Sequence, residues 1–185
     1  MTADLPAGPI APKQPLDAHY AIWHLLESVT DPEIPVVNLR EMGILRAVRQ
    51  TAAGLEVVIT PTYSGCPAMG QMEDDVVKAL SSAGVSARVR SQIAPAWSTD
   101  WMTPEAREKL RTYGIAPPHP SGCAADTNVI QFAPKKLAVC ALPAVLCPQC
   151  GSKNTTETSH FGSTACKALY RCLNCLEPFD YFKPY

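Results

Sequence analysis

Four cysteines close to the C-terminus constrain the fold of this chain more than any other feature of its sequence. They form two Cys-x-x-Cys pairs, Cys147 with Cys150 and Cys172 with Cys175, and 21 residues separate the pairs. Two thiolates three residues apart can bind one metal ion from a single tight turn, and a second such turn completes a tetrahedral four-thiolate shell. The spacing therefore predicts a metal-bound module that needs little hydrophobic core of its own.

The sequence around the two pairs is typical of a zinc ribbon. Three segments with the alternation of strands, 155–160, 168–171 and 179–183, bracket the cysteine turns. Because all four ligand positions are cysteine and none is left open for water, structural zinc is the favoured metal. A single iron, as in rubredoxin, is the alternative, since tetrahedral four-thiolate geometry suits both metals. Cys166 is interpreted as a buried free thiol, and His160 has no vacant ligand position to fill.

The length and charge of the chain limit its architecture and its partners. Its 185 residues suffice for one ordinary domain and a small metal-bound module. The net charge is −1, and the predicted ribbon has four basic and three acidic residues, so we expect no nucleic-acid partner. The longest apolar run, 137–146, has ten residues and contains Pro143. It is too short to span a bilayer, so we expect no membrane partner.

The start of the sequence predicts a cytoplasmic protein. The run MTADLPAGPIAPKQP lacks the basic and apolar regions of a secretory signal peptide, and we therefore expect no export. In a reducing cytoplasm, the eight cysteines are expected to be metal ligands or free thiols and not disulfides. Cys123 and Cys140 have no paired spacing and are assigned no ligand role.

Apolar periodicity upstream of the ribbon predicts an α+β domain with the order helix, strand, strand, helix, strand. The first helix begins at Asp17 and ends before Asp31, because Pro32 disfavours further helix. A further short helix begins at Thr103-Pro104 and ends at Gly114. The other elements are expected at 44–50, 55–60, 68–83 and 85–93. The chain thus divides into a flexible proline-rich tail (1–16), the α+β domain (17–113), an extended connection (114–140) and the zinc ribbon (141–185).

Several apolar residues of the first domain are assigned to its core. Trp97 and Trp101 are expected to anchor a loop over that core. The inner face of the second helix is predicted to carry Met69, Met72, Val76, Val77 and Leu80.

A second candidate site in the first domain consists of Asp31, Glu33 and Cys66. Cys66-Pro67 comes directly before the second helix, where free amides and the helix dipole would favour a thiolate. Asp31 and Glu33 flank Pro32 in a turn after the first helix. If the fold brings the two segments together, two carboxylates and one thiolate form a transient iron site. The alternatives are a structural cysteine for Cys66 and a solvated turn for the two acids.

Two runs of the first domain resemble the iron-sulfur assembly factors of the SufT type. They are VTDPEIPVVNLREMGIL and ITPTYSGCPAM, whose Asp-Pro-Glu and whose cysteine before the helix match the signature positions of that family. The fusion of this domain to a ribbon carrying FGSTACKALYRCLNCLEPFDYFK resembles the PaaD family, the D subunits of the bacterial phenylacetyl-CoA epoxidase system. This resemblance extends from about residue 17 to the C-terminus.

The resemblance implies a role in aerobic phenylacetate degradation, with oxygenase or reductase subunits of the epoxidase as partners. The chain carries neither the two Glu-x-x-His motifs of a di-iron helix bundle nor a Gly-x-Gly-x-x-Gly loop, so a non-catalytic component is expected. The resemblance further implies an accessory subunit that assembles or maintains iron or iron-sulfur centres, with Asp31, Glu33 and Cys66 holding an iron ion or cluster transiently. One alternative is a stoichiometric structural subunit that docks on the oxygenase. The other is an enzyme with Cys66 as a redox or nucleophilic thiol.

Overall fold

The computed structural model of this protein describes residues 19–119 and 144–185. The predicted tail, the helix cap at Asp17, most of the predicted connection, Cys123 and Cys140 lie outside these ranges. Within them, no helix has both the length and the apolar character needed to cross a membrane.

The N-terminal domain is a three-stranded sheet packed against helices. Its bounds are Tyr20–Leu26 for α1, Leu45–Thr51 for β1, Gly54–Ile59 for β2, Met69–Ser82 for α2, Ala87–Ser91 for β3 and Pro104–Tyr113 for α3. Strands β1 and β2 form an antiparallel hairpin, and β3 lies parallel to β2 because α2 makes the crossover between them. The predicted α+β class and the predicted order of elements are confirmed.

Helix α2 follows its apolar periodicity, with one exception. Met72, Val76 and Leu80 are buried at intervals of four residues and form the face that packs on the core. Val77, predicted to lie on the same face, is exposed. One residue turns the helix by about 100°, so the neighbour of a buried residue points away from the core.

The ends of α1 and α3 show how local sequence sets helix length. Helix α3 begins as predicted, with the Thr103 side chain accepting a hydrogen bond from the Ala106 amide at 3.1 Å. It ends at Gly114, whose φ of +97° is accessible to glycine at little cost. Helix α1 is shorter than predicted and ends at Leu26. Val29 is still buried, but in the loop that follows the helix.

The C-terminal region forms a four-stranded zinc-ribbon sheet. Its strands are Ile115–Ala116 for β4, Thr155–Ser159 for β5, Lys167–Cys172 for β6 and Pro178–Phe182 for β7, in the order β4-β7-β6-β5. The three predicted strands of the ribbon are confirmed. Strand β4 was not predicted: its two residues fall in the segment interpreted as an extended connection, yet they pair in parallel with β7. The segment that follows α3 therefore already contributes a strand to the ribbon sheet.

The two domains share one hydrophobic core. Phe182 of β7 is only 1% exposed and belongs to the buried cluster of the N-terminal domain. Its ring centroid lies 5.9 Å from that of Trp97, and the Tyr185 ring centroid lies 6.2 Å from that of Trp97. Trp97 in turn donates a hydrogen bond to the Met42 carbonyl at 3.0 Å, which confirms its predicted anchoring role. The ribbon is therefore fixed on the first domain by buried aromatic contacts.

Candidate functional site

The four cysteines of the ribbon form a closed tetrahedral set. Their ligand atoms all lie within 4.8 Å of one another. The sulfurs of Cys147 and Cys175 are 3.7 Å apart, and those of Cys150 and Cys172 are 3.6 Å apart. A zinc-sulfur bond of about 2.3 Å places the sulfurs of a tetrahedral site about 3.8 Å apart. The spacing therefore fits a structural zinc held by these four thiolates.

Local backbone geometry positions these thiolates. The amides of Asn174 and Cys175 each donate a hydrogen bond of 3.4 Å to the Cys172 sulfur. These amides lower the pKa of Cys172 to about 6, so the thiolate that zinc requires is favoured near neutral pH. Each Cys-x-x-Cys turn ends in a left-handed residue, Gly151 with a φ of +71° and Leu176 with a φ of +67°. Two tight turns of the same shape thus present two sulfurs each.

A buried carboxylate organises the loop after α1. Asp31 is 6% exposed, and its Oδ1 accepts hydrogen bonds from the amides of Glu33 at 2.8 Å and Ile34 at 3.0 Å. The Asp31 amide donates to the Val37 carbonyl at 3.0 Å and closes the loop. Burial raises the pKa of the Asp31 carboxyl, while the two amides and the charge of Lys167 oppose that rise. The solvated turn that is the simplest interpretation of the sequence is therefore wrong for Asp31.

Cys66 lies in the loop between β2 and α2, partly exposed and close to the same acids. Its amide donates to the Tyr63 carbonyl at 3.2 Å, and the amide of Ala68 hydrogen-bonds to its side chain. That amide lowers the pKa of the thiol, as expected before a helix. Burial nevertheless raises the pKa of Cys66 overall, and the charges of Glu33 and Asp31 raise it further. The helix N-terminus favours the thiolate form, as the sequence indicates, but burial outweighs that effect on the pKa of Cys66.

The structure adds Cys166 to this site, a residue that the sequence placed simply in a core. Cys166 is 6% exposed in the turn between β5 and β6, and it belongs to the core cluster against which Cys66 packs. Burial raises the pKa of Cys166, and the charges of Glu33 and Asp31 raise it further. Cys166 in turn adds to the rise in the pKa of Cys66. The sequence gave no signal of this interaction, because the two cysteines are 100 residues apart along the chain. We call Asp31, Glu33, Cys66 and Cys166 the interdomain thiol site.

Aromatic hydroxyls and one ammonium group border the interdomain thiol site. Burial, followed by the proximity of Cys66, Cys166 and Glu33, raises the pKa of Tyr63. Lys167, next to Cys166, is almost fully buried and forms an ion pair with Asp180 at 3.3 Å. Its charge also stabilises the ionised forms of Asp31 and Cys166. The site thus combines two carboxyl groups and two thiols with one nearby positive charge.

The two candidate sites differ in how closely their possible ligand atoms are grouped. Among residues 19–119 and 144–185, the ribbon cysteines are the one group of at least three possible ligands whose atoms all lie within 4.8 Å. Asp31, Glu33 and Cys66 come near enough to interact electrostatically, but they do not form such a compact set. The ribbon can therefore hold a metal with all four thiolates, whereas Asp31, Glu33, Cys66 and Cys166 form no such compact ligand set.

Comparisons with known proteins match both halves of the chain. The family of the PaaD zinc beta ribbon domain matches residues 133–183, and the family described as iron-sulfur cluster assembly protein matches residues 20–90. The first match agrees with the closed four-cysteine site and assigns it structural zinc. The second covers α1 to β3, including Asp31, Glu33 and Cys66.

Relatives resemble either the whole chain or its first domain. A protein of Escherichia coli (strain K12), named as the D subunit of a "Putative 1,2-phenylacetyl-CoA epoxidase", is 47% identical over 165 residues, covering 89% of this chain and 92% of that protein. The Fe-S protein maturation auxiliary factor of Porphyromonas gingivalis is 36% identical over 92 residues, 48% of this chain and 87% of that protein. A crystal structure of domain of unknown function DUF59 from Bacillus anthracis is 31% identical, covers 49% of this chain and 88% of that chain, and has a TM-score of 0.45.

Proposed function

We propose that this chain, which belongs to the PaaD family, is a non-catalytic accessory subunit of the phenylacetyl-CoA epoxidase of aerobic phenylacetate degradation. Its task is to assemble or maintain the iron or iron-sulfur centres of the oxygenase or reductase subunits, in the cytoplasm. Support comes from the relative named as the D subunit of a phenylacetyl-CoA epoxidase and from the relative named as an Fe-S maturation auxiliary factor.

One observation carries this proposal: a closed zinc site and an open thiol site coexist in one chain. Zinc held by four thiolates has no free coordination position, so the zinc site of the ribbon has a structural role and does not bind a substrate. The open site has a partly exposed thiol, Cys66, near Glu33 and the buried Asp31. Thiolates and carboxylates together bind iron, and an incomplete shell allows the iron to pass to a client. Iron or a cluster is thus cargo of this protein, held by Asp31, Glu33 and Cys66.

Co-expression of the epoxidase subunits with a Cys66→Ser form of this chain tests the proposal. We expect lower iron content in the purified oxygenase and reductase, with a parallel loss of epoxidase activity, while the complex still forms. The zinc content of this chain should not change, because Cys66 lies outside the ribbon. Normal iron content and normal activity with the Cys66→Ser form would contradict the proposal.

A stoichiometric structural subunit is the second candidate, and the raised pKa of Cys66 favours it. Burial disfavours the thiolate form of Cys66, and a thiol must lose its proton before it binds a metal. For a structural subunit, Cys66→Ala would leave both the iron content and the activity of the co-purified complex unchanged, and the chain would remain in fixed ratio to the oxygenase.

A further inference from the structure

The three-stranded sheet of the first domain has an inner face toward the core and an outer face away from it. Val57, Ile59 and Val89 belong to the buried core cluster or pack against it, and they mark the inner face. Because side chains alternate along a strand, Glu56 and Val58 lie on the outer face. Val58 agrees with this assignment, since it is 2% exposed and yet lies outside the core cluster.

Arginines line the outer face. Arg49 of β1 and Arg88 of β3 lie on either side of Glu56 in the sheet register, and Arg90 lies beside Val58. All three arginines are exposed, and Arg49 forms an ion pair with Glu56 at 2.6 Å. Within the described part of the chain, Arg88 and Arg90 have no ion-pair partner. We call Arg49, Glu56, Arg88 and Arg90 the arginine face, which is positive although the whole chain has a net charge of −1.

Arg46 extends this positive charge at the bulge of β1. It is the extra residue where the register with β2 shifts, and it lies opposite Val58 together with Ala47. Its guanidinium carbon is 3.5 Å from the centroid of the Trp101 ring, and both residues are half-buried. Burial lowers the pKa of Arg46, and no carboxylate of residues 19–119 or 144–185 forms an ion pair with it. Partly desolvated arginine and tryptophan are the residues that most often dominate the energy of a protein interface.

The choice of arginine favours a carboxylate partner over a face that is only solvated. The chain has eight arginines and eight lysines, but β1, β2 and β3 together contain four arginines and no lysine. Lysine would serve at least as well to protect the two edge strands of the sheet from pairing with another chain. Arginine differs in that its planar guanidinium holds a carboxylate through two parallel hydrogen bonds and is more weakly hydrated.

We propose that the arginine face, with Arg46 and Trp101 at its border, docks this chain on a protein surface rich in aspartate and glutamate, carried by an oxygenase or reductase subunit of the epoxidase. This inference rests on the proposed function and deepens it, since it assigns the surface through which the accessory subunit engages its client. Nucleic acid fits the face less well. The Trp101 ring, on which a base could stack, packs against the core and is covered by Arg46, and Glu56 would repel phosphates.

Charge reversal on β3 tests the docking surface in the full-length, zinc-loaded chain. We expect Arg88→Glu/Arg90→Glu to bind the purified oxygenase or reductase subunits at least about tenfold more weakly, because like charges then face each other across the interface. Lys78→Glu/Lys153→Glu is the matched control, with the same change of net charge at two exposed positions outside the arginine face, and should bind as the wild type does. Unchanged zinc content and circular dichroism show that the reversed variant is folded. Wild-type affinity of this variant would overturn the proposal.

Salt provides a second measurement of the same contact. Raising NaCl from about 0.15 M to about 1 M shortens the screening length from about 8 Å to about 3 Å. We expect the wild type to lose affinity for the client over this range and the reversed variant to lose little more. An affinity of the wild type that does not respond to salt would contradict a docking surface made of charges.

A zero-length cross-link tests the position of the contact without a loss of binding. Arg88→Lys/Arg90→Lys keeps both positive charges and introduces two amines. A carbodiimide joins such an amine to a neighbouring carboxylate as an amide and itself takes up the water that is released. We expect mass spectrometry to show aspartate or glutamate of the client joined to position 88 or 90. Cross-links formed only by other lysines of the chain would overturn the arginine face as the contact.

The outcomes separate this inference from the function on which it rests. If the wild type and the reversed variant bind the client equally, the docking surface is wrong and the accessory role stands. If the reversal abolishes binding while Cys66→Ser leaves the iron content of the client normal, the docking surface stands and the iron-handling function fails. Absence of any binding by the wild type, or binding only of a labelled single-stranded RNA, would overturn the acidic protein partner.

Discussion

The chain contains two groups of sulfur atoms that differ in how the fold builds them. In the ribbon, short turns bring four sulfurs together, and backbone amides lower the pKa of Cys172. In the interdomain thiol site, two sulfurs come from separate domains, and burial raises the pKa of both. A site built by local turns is ready for a permanent metal. In the interdomain thiol site, burial disfavours the thiolate form of both cysteines.

Cys147→Ser should have the largest effect, because it removes a ligand of the permanent metal. Structural zinc contributes on the order of 10 kcal/mol to folding in small zinc domains. We expect loss of zinc and unfolding of the ribbon, measured by metal analysis and by circular dichroism. Cys66→Ser is the control and should retain one zinc per chain. A Cys147→Ser protein with full zinc would mean that the two sets of sulfurs do not differ as described.

Phe182→Ala should have the next largest effect, because this ribbon residue fills the core of the first domain. Truncation of a buried phenylalanine costs about 3–5 kcal/mol, and here it also removes the ring contact with Trp97. Chemical denaturation should show a lower free energy of unfolding and separate transitions of the two domains. Phe161→Ala, at a 64% exposed site, should change stability by less than about 0.5 kcal/mol. Equal effects of the two substitutions would show that the domains fold without a shared core.

Asp31 offers a test in which charge and hydrogen bonding are separated. Asp31→Ala leaves the buried amides of Glu33 and Ile34 without their acceptor and should cost about 1–3 kcal/mol. Asp31→Asn keeps an acceptor oxygen and removes the charge, so its stability at pH 7 should lie within about 1 kcal/mol of the wild type. Urea denaturation measures both.

The pH dependence of these variants follows from the raised pKa of Asp31. Its stabilising contribution is complete below the unfolded value of 3.8 and is lost as the pH rises through the higher folded value. Asp31→Asn should therefore gain stability relative to the wild type as the pH rises from about 3 to 7. A constant difference across that range would mean that the Asp31 carboxyl is not buried. Weaker Fe(II) binding by a stable Asp31→Asn protein would identify Asp31 as a ligand.

The smallest expected effect concerns the reactivity of Cys66 and leaves stability unchanged. With a raised pKa, the thiol is protonated at pH 7, so alkylation by iodoacetamide should be slow there. The rate should rise about tenfold per pH unit and level off only above pH 9, the ordinary pKa of a cysteine thiol. Besides burial, the groups that set this profile are the Ala68 amide, Glu33, Asp31 and Cys166. Rapid alkylation at neutral pH would instead support the redox or nucleophilic role for Cys66.

Much of the first domain could be predicted from the sequence because its signals are local. The α3 helix shows this best, since Thr103 caps it and Gly114 ends it as expected. The raised pKa of Cys66 could not be predicted from the sequence. The position of Cys66 before a helix was evident and favours a lower pKa, whereas the burial that raises the pKa is visible only in the folded chain. The burial of Asp31 could not be predicted for the same reason, because it depends on how the loop after α1 folds.

The amino-acid sequence alone was sufficient to predict the zinc ribbon, because two Cys-x-x-Cys turns carry their ligand geometry within a few residues. It also placed Asp31, Glu33 and Cys66 in loops at the ends of regular elements. The burial of Asp31 and Cys166, and the rise that burial causes in the pKa of Cys66 and Cys166, followed only from the packing of the folded chain. The reason is physical: ligand spacing within a turn is fixed by the backbone, whereas burial and contact between distant residues depend on how the two domains pack.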